Sequence, residues 1–248
     1  MTVVLKLGGS VVTEKAEPET VDEAALAAAA DAVATSGDDP VVVHGGGSFG
    51  HHHAAEYGVS TTEGTHDVAG VAAIHGAMKR LNAAVVEALT ERGVPAVPVH
   101  PLSAASRDAE GELTLPTEQV RTLLAEGFVP VLHGDLVAHA SEGTTVLSGD
   151  ELVVALAPAV EADRVGVCST VPGVLDEEGA VIDRVGAFED VRSALGGSDT
   201  TDVSGGMAGK VRALLALDSP AHIFGPDALD TFLAGDAPGT TVDGTDGS

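Results

Sequence analysis

A chain of 248 residues with 44% hydrophobic content can bury one large core or two closely packed lobes. Its 38 acidic residues against 12 basic ones give a formal charge of −26, which repels nucleic acid and anionic membranes and argues against either as a partner. The apolar content excludes an acidic disordered chain, no apolar run reaches the roughly 20 residues of a membrane span, and the single Cys168 excludes an internal disulfide framework and a cysteine zinc cage.

In chain order, Val3 to Leu7 reads as an apolar strand running into Gly8-Gly9-Ser10. Pro18 to Ser36 is alanine-rich and helical, with Thr20 or Asp22 as its cap and acids in its first turn. Pro40 to Val43 is a buried-type strand that delivers His44 and Gly45-Gly46-Gly47, after which SFGHHHAAEYG starts a helix whose free N–H groups face whatever the glycines leave exposed. A long helix spans Asp67 to Arg92 and a strand Ala96 to Val99; a polar hairpin at SRDAEGELTLP leads into a short helix over Thr117 to Ala125. The strand Phe128 to Leu132 ends in HGD, Ser148-Gly149-Asp150 opens a helix through Val160, and Arg164 to Cys168 is again a strand. Ser204 to Leu217 is a glycine-rich turn entering a helix, His222 to Phe224 a strand and Asp227 to Ala234 a last short helix, with TTVDGTDGS expected to fray. This alternation predicts an α/β fold with a mainly parallel sheet covered on both faces. Ligands of such sheets sit beyond the strands' carboxyl ends, so the glycine turns after Leu7, Val43 and Leu132 should face one crevice.

The cations carry the next signal. The chain has four lysines, and three of them, Lys6, Lys15 and Lys210, accompany glycine-rich turns, while Lys79 sits in a helix as a solvated residue. Glycine lets backbone N–H groups approach anionic oxygens, and an ammonium group neutralises the remaining charge, so together they make a phosphate cradle. Neither the G-x-x-x-x-G-K-[ST] loop nor G-x-G-x-x-G after the first strand is present. HGGGSFGHHH, His44 to His53, is too far inside the chain to be a tag. Successive helical side chains point in different directions, which argues against its histidines converging on a metal, and no metal ligand from the protein is expected. His44 reads as a strand-end hydrogen-bonding residue, the HGD of His133 to Asp135 as a site-facing turn, and Cys168 as a small strand hydrophobe. The absence of a secretory pattern in MTVVLKLGGS predicts a cytoplasmic protein. Abundant carboxylates, few lysines and only 2% aromatics are typical of proteins adapted to a high-salt interior, where screening shortens self-repulsion to about 3 Å at 1 M salt.

LKLGGSVVTEK, VVVHGGGSFGH, VLHGDLV, LSGDELVVALA and DVSGGMAGKV resemble, in order and spacing, the amino acid kinase superfamily. HGGGSFGH together with LKLGGS-x-x-T-x-K is similar to its isopentenyl phosphate kinase branch. The resemblance implies a three-layer αβα sandwich in which residues of about 1–140 bind the acceptor and about 141–248 bind ATP, with Mg²⁺ as the accompanying ion. It also implies ATP-dependent conversion of isopentenyl phosphate to isopentenyl diphosphate in an archaeal-type mevalonate route, and a homodimer. Carried over by position, Lys6 stabilises the phosphoryl group in transit and Lys15 lies near the ATP phosphates. Gly45, Gly46, Gly47 and Gly50 line the acceptor side, and His51 grips the acceptor phosphate. Asp150 positions the lysines, and Lys210 reaches the donor phosphates. Gly8, Gly9, Ser10, Gly205 and Gly206 complete the ATP site. Ser169 and Pro172 stand where relatives often place acidic or threonine residues beside the nucleotide, and Ala69 to Met78 is expected to wall the isoprenoid tail. The alternatives are a kinase of another phosphate or of a carboxylate, and a non-catalytic phosphate-binding module. A carboxylate kinase would need an arginine for its substrate, and none precedes Arg80.

Overall fold

The computed structural model describes residues 1–38, 40–195 and 206–244. In chain order its N-terminal elements are β1 (Val3–Leu7), α1 (Gly9–Val12), α2 (Glu23–Thr35), β2 (Val41–His44), α3 (Gly47–Glu56) and α4 (Val68–Thr90). Then follow β3 (Ala96–Pro98), β4 (Ser106–Arg107), β5 (Leu113–Thr114), α5 (Glu118–Ala125), β6 (Val129–His133), β7 (Asp135–His139) and β8 (Gly143–Leu147). The remainder is α6 (Gly149–Ala159), β9 (Arg164–Cys168), β10 (Arg184–Val185), α7 (Arg192–Leu195), α8 (Gly206–Leu214), β11 (Ala221–Phe224), α9 (Leu229–Leu233) and β12 (Thr240–Val242).

The main sheet runs β10-β12-β11-β9-β1-β2-β6-β3, parallel except where β12 meets β11. Its strands are apolar on both sides because both faces are covered. Val4, Val43, Val167 and Ile223 pack on one face with Leu152 and Leu156 of α6 and Val211 and Leu214 of α8. Val3, Leu5, Val42 and Phe224 pack on the other with Leu26 and Val33 of α2, Val85 of α4 and Phe232 of α9. Each large side chain fully buried this way contributes about 1.5–3 kcal/mol. Lys6 follows the parity of Val4, so its side chain passes under the first turn of α6, and that placement builds the site.

Three expectations are corrected. The segment before α2 is not helical: Asp22 caps the helix, its carboxylate accepting from the Ala25 N–H at 2.9 Å, and residues 14–20 form a loop closed by a bridge between Thr13 and Val21. Thr240–Val242 is a strand rather than a frayed end, because it pairs with both β10 and β11; residues 245–248 lie outside the described ones. The hairpin expected at SRDAEGELTLP is present as β4 and β5, but it belongs to a second small sheet, β5-β4-β7-β8, whose β7 and β8 follow HGD where only a turn was expected. β4–β5 and β7–β8 are each local hairpins, and only the parallel pairing of β4 with β7 joins them across distant sequence.

Candidate active site

The parallel hydrogen bonding continues one step past the strand ends. Gly8 N–H donates to the Cys168 carbonyl at 2.9 Å, Gly45 N–H to that of Leu7 at 3.0 Å and Gly134 N–H to that of His44 at 2.9 Å. The turns after β1, β2 and β6 therefore stand side by side and open on one cleft of about 820 Å³, as anticipated. Two of them touch backbone to backbone. A Cβ on Gly9 would lie 2.1 Å from the Gly47 nitrogen, and one on Gly45 2.6 Å from the Gly9 nitrogen. Gly47 also has φ +48°, with the Thr13 hydroxyl where its Cβ would be. These glycines thus serve the contact between turns as well as any approach to phosphate. Thr13, the threonine of LKLGGS-x-x-T-x-K, to which the sequence assigned no role, joins the two turns: its hydroxyl donates to the Gly9 carbonyl at 2.8 Å and accepts from the Ser48 N–H at 3.0 Å.

At the centre of the cleft stand two ammonium groups and one carboxylate. Lys6 Nζ lies 2.6 Å from Asp150 Oδ1, and Lys210 Nζ 3.6 Å from Asp150 Oδ2. Ser148 holds α6 in place with a capping box, its side chain accepting from the Glu151 N–H while its own N–H donates to the Glu151 carboxylate, so Asp150 sits in the helix's first turn. Burial pushes the Lys6 pKa down to about 8, against the pull of Asp150 and with the help of Lys210. Burial acts to raise Asp150, but the two lysines outweigh it and hold the carboxyl below its usual range. The cluster carries more positive charge than its one carboxylate cancels, which suits a polyanionic ligand. Lys15, exposed on the 14–20 loop, lines the same cleft and has no ion pair among the described residues.

Of the remaining candidates, Gly8, Gly9, Ser10, Gly45, Gly46, Gly47, Gly50, His51 and Gly206 all line the cleft, whereas Gly205 falls outside the described residues. Gly50 also makes room for Met78, whose sulfur would meet a Cβ there at 2.9 Å. The histidine triplet divides. His51 and His52 line the cleft and are exposed, and His51 has no hydrogen-bond partner among the described residues. His53 faces Glu19 Oε1 through Nε2 at 2.6 Å and Glu56 Oε2 through Nδ1 at 3.3 Å. The expectation that neighbouring histidines diverge is too simple, since atoms of His52, His53 and Glu56 come within 4.8 Å of one another. Each ring nitrogen of His53 is already engaged by a carboxylate, which leaves neither free for an ion.

His44 is buried, and burial pushes its pKa down to about 4. The neutral ring donates through Nδ1 to the Gly45 carbonyl at 3.1 Å, and Nε2 lies 3.1 Å from the Asn82 side-chain amide. His133 repeats the pattern on the neighbouring strand, donating to the Gly134 carbonyl at 2.9 Å, so both strand-end histidines brace the glycine turns that follow them. Cys168 is a buried strand residue whose thiol burial pushes up to about 12. Ile74 and Met78 of α4, Ala54 of α3 and Val146 of β8 give part of the cleft an apolar lining, and Ser169, Thr170 and Val171 line another part. Val146 and the site-facing Asp135 come from the small sheet, which the sequence reading had no periodic signal to find.

A model of the amino acid kinase family matches residues 1–221. An isopentenyl phosphate kinase of Haloferax volcanii is 66% identical over 244 residues, 98% of each chain. The chain belongs to the amino acid kinase family and, within it, to the isopentenyl phosphate kinases. An isopentenyl phosphate kinase of Methanothermobacter thermautotrophicus is 36% identical, with 87% of this chain and 86% of that one aligned. A solved isopentenyl phosphate kinase structure superposes with a TM-score of 0.85 at 28% identity, covering 97% of this chain and 99% of the other. The αβα arrangement of this amino acid kinase and its mainly parallel sheet agree with that likeness. No helix among the described residues is long and apolar enough to cross a membrane.

Proposed function

We propose that the chain transfers the γ-phosphoryl group of ATP to isopentenyl phosphate, giving isopentenyl diphosphate and ADP. The observation that carries this reading is the Lys6–Asp150–Lys210 cluster at the centre of a cleft that also has an unpaired imidazole, His51, and an apolar lining around Ile74 and Met78. An acceptor with a phosphate head and a short hydrocarbon tail fits those two chemistries. A carboxylate acceptor fits less well, because no arginine among the described residues lines the cleft.

Both reactants are polyanions, and the attacking group is itself a phosphate oxygen, largely ionised near neutrality, so no strong base is needed. The acceptor oxygen forms a bond to the γ-phosphorus while the bond to the β–γ bridging oxygen breaks, and the displaced electron pair leaves on ADP. The protein's task is alignment and neutralisation. Lys6 would follow the phosphoryl group in transit, Lys210 and Lys15 would meet the donor phosphates, and His51 would donate to the acceptor phosphate. Asp150 would hold Lys6 and Lys210 apart at a fixed spacing.

Asp150 is occupied by two lysines, and Asp135, the other carboxylate among the described residues lining the cleft, accepts from His75 Nδ1 at 2.9 Å. With both carboxylates engaged, the set fits a Mg²⁺ that would be carried in on the nucleotide, and the Ser10 hydroxyl in the cleft lining would be available to it. The ion would supply charge neutralisation between the β- and γ-phosphates. In this reading residues of about 1–140 serve the acceptor and about 141–248 the nucleotide, in a cytoplasmic enzyme. ATP consumption in molar KCl with Mg²⁺, assayed on isopentenyl phosphate, uridylate, acetylglutamate and carbamate, tests it. Turnover confined to isopentenyl phosphate is expected; turnover only on another acceptor would overturn the assignment.

A further inference from the structure

Among the described residues Lys15 is the one cleft lysine with no carboxylate to hold it, and it sits on a loop whose residues 14–20 are exposed except for Glu19. Glu19 is half-buried and has φ +50°, a conformation rarely adopted by a residue with a side chain, which turns its carboxylate back towards the body of the protein. One oxygen lies 2.6 Å from His53 Nε2 on α3, and the other accepts from Arg80 Nε at 3.1 Å and Nη2 at 2.5 Å on α4. Its N–H and the Thr20 carbonyl complete the attachment through Ser48, each at 3.4 Å. Hydrogen bonding from His53 and then Arg80 holds the Glu19 carboxyl below its usual range.

We infer that Glu19 is a positioning residue that fastens the Lys15 loop to the helix bearing His51 and to the helix lining the tail pocket. The backbone closes the loop at its base, through the bridge of Thr13 with Val21 and the Glu14 N–H donating to the Thr20 carbonyl at 3.0 Å, and Glu19 adds the side-chain attachment of the returning arm. Anchored in this way, the ammonium group of Lys15 would be held over the cleft with less conformational freedom to lose when phosphates arrive. Exposed ion pairs contribute little to stability, so the effect is on geometry. Contacts of this length also persist where molar salt screens charges beyond about 3 Å. Arg80 and His53 were unassigned in the sequence reading, and this fastening gives both a task.

The inference rests on the assignment of Lys15 to the phosphate site, and a double-mutant cycle separates the two. Steady-state kinetics on isopentenyl phosphate and ATP in molar KCl would compare the wild type, Glu19→Gln, Lys15→Ala and the double variant, with thermal melts confirming that each is folded. Glu19→Gln is expected to lower kcat/KM for ATP by about ten- to a hundredfold, and to add less than about twofold in the Lys15→Ala background. If Lys15→Ala alone is silent, the lysine's assignment fails and the inference with it. If Lys15→Ala is impaired while Glu19→Gln is silent, or multiplies the defect fully, the assignment stands and the positioning role is wrong.

Discussion

The surface and the cleft follow opposite rules of charge. Over the chain, acids outnumber bases by 38 to 12. In the cleft, three of the four lysines gather, and among the described residues only Asp135 and Asp150 represent the carboxylates. A strongly anionic exterior keeps a protein solvated in concentrated salt but repels ATP and a phosphorylated acceptor. The cationic centre reverses that sign locally, and burial of Lys6 at 5% exposure protects it from the screening that makes the exterior tolerable. Screening acts on exposed charges far more than on buried ones, so one chain can carry both.

Breaking the cleft side of this contrast should have the largest effect. Lys6→Ala removes the buried cation and is expected to lower kcat by about a thousandfold or more, measured by ADP release under saturating substrates. Next, His51→Ala removes a charge-assisted donor, so KM for the acceptor should rise about ten- to a hundredfold. A fall in kcat at unchanged acceptor KM would contradict the role given to His51.

The depressed Lys6 pKa gives a test with two signs. With a folded value of about 8 against an ordinary 10.5, the unfolded chain retains a proton that the folded chain has released between those limits. In that window Lys6 makes stability rise with pH, because the unfolded state binds more protons. Activity should move the other way, with kcat/KM for ATP declining above pH of about 8, roughly tenfold per unit, as the free enzyme loses its cation. In Lys6→Arg this alkaline limb should vanish from whatever turnover remains, and a limb that persisted unchanged would belong to another group.

The exterior is tested by salt. Melting temperature should climb between dilute buffer and molar KCl as carboxylate repulsion is screened, and a melt equally high without salt would remove the case for salt adaptation. Smallest of all, Lys79→Ala alters an exposed helical lysine outside the cleft. Kinetics should be unchanged and stability should move by no more than about 0.5 kcal/mol.

Read by itself, the sequence determined the alternation of strands and helices, the gathering of glycine turns at the carboxyl ends of the strands, and the pairing of those turns with scarce lysines. These are local matters: an apolar run such as Val3 to Leu7 or Arg164 to Cys168 declares a buried strand wherever it lies, and a cation beside glycines declares its chemistry without a fold. Tertiary structure alone decided what the glycines are for, since the clash of a Cβ on Gly9 with Gly47 depends on two turns some forty residues apart meeting backbone to backbone. It also decided the division of the histidine triplet, because His51, His52 and His53 are chemically identical until Glu19 arrives from another segment to occupy the third. The terminal strand Thr240–Val242 was decided in the same way, for it acquires a reason to be extended only when β10 and β11 supply the hydrogen bonds, and the two hairpins of the small sheet are joined only by the distant pairing of β4 with β7.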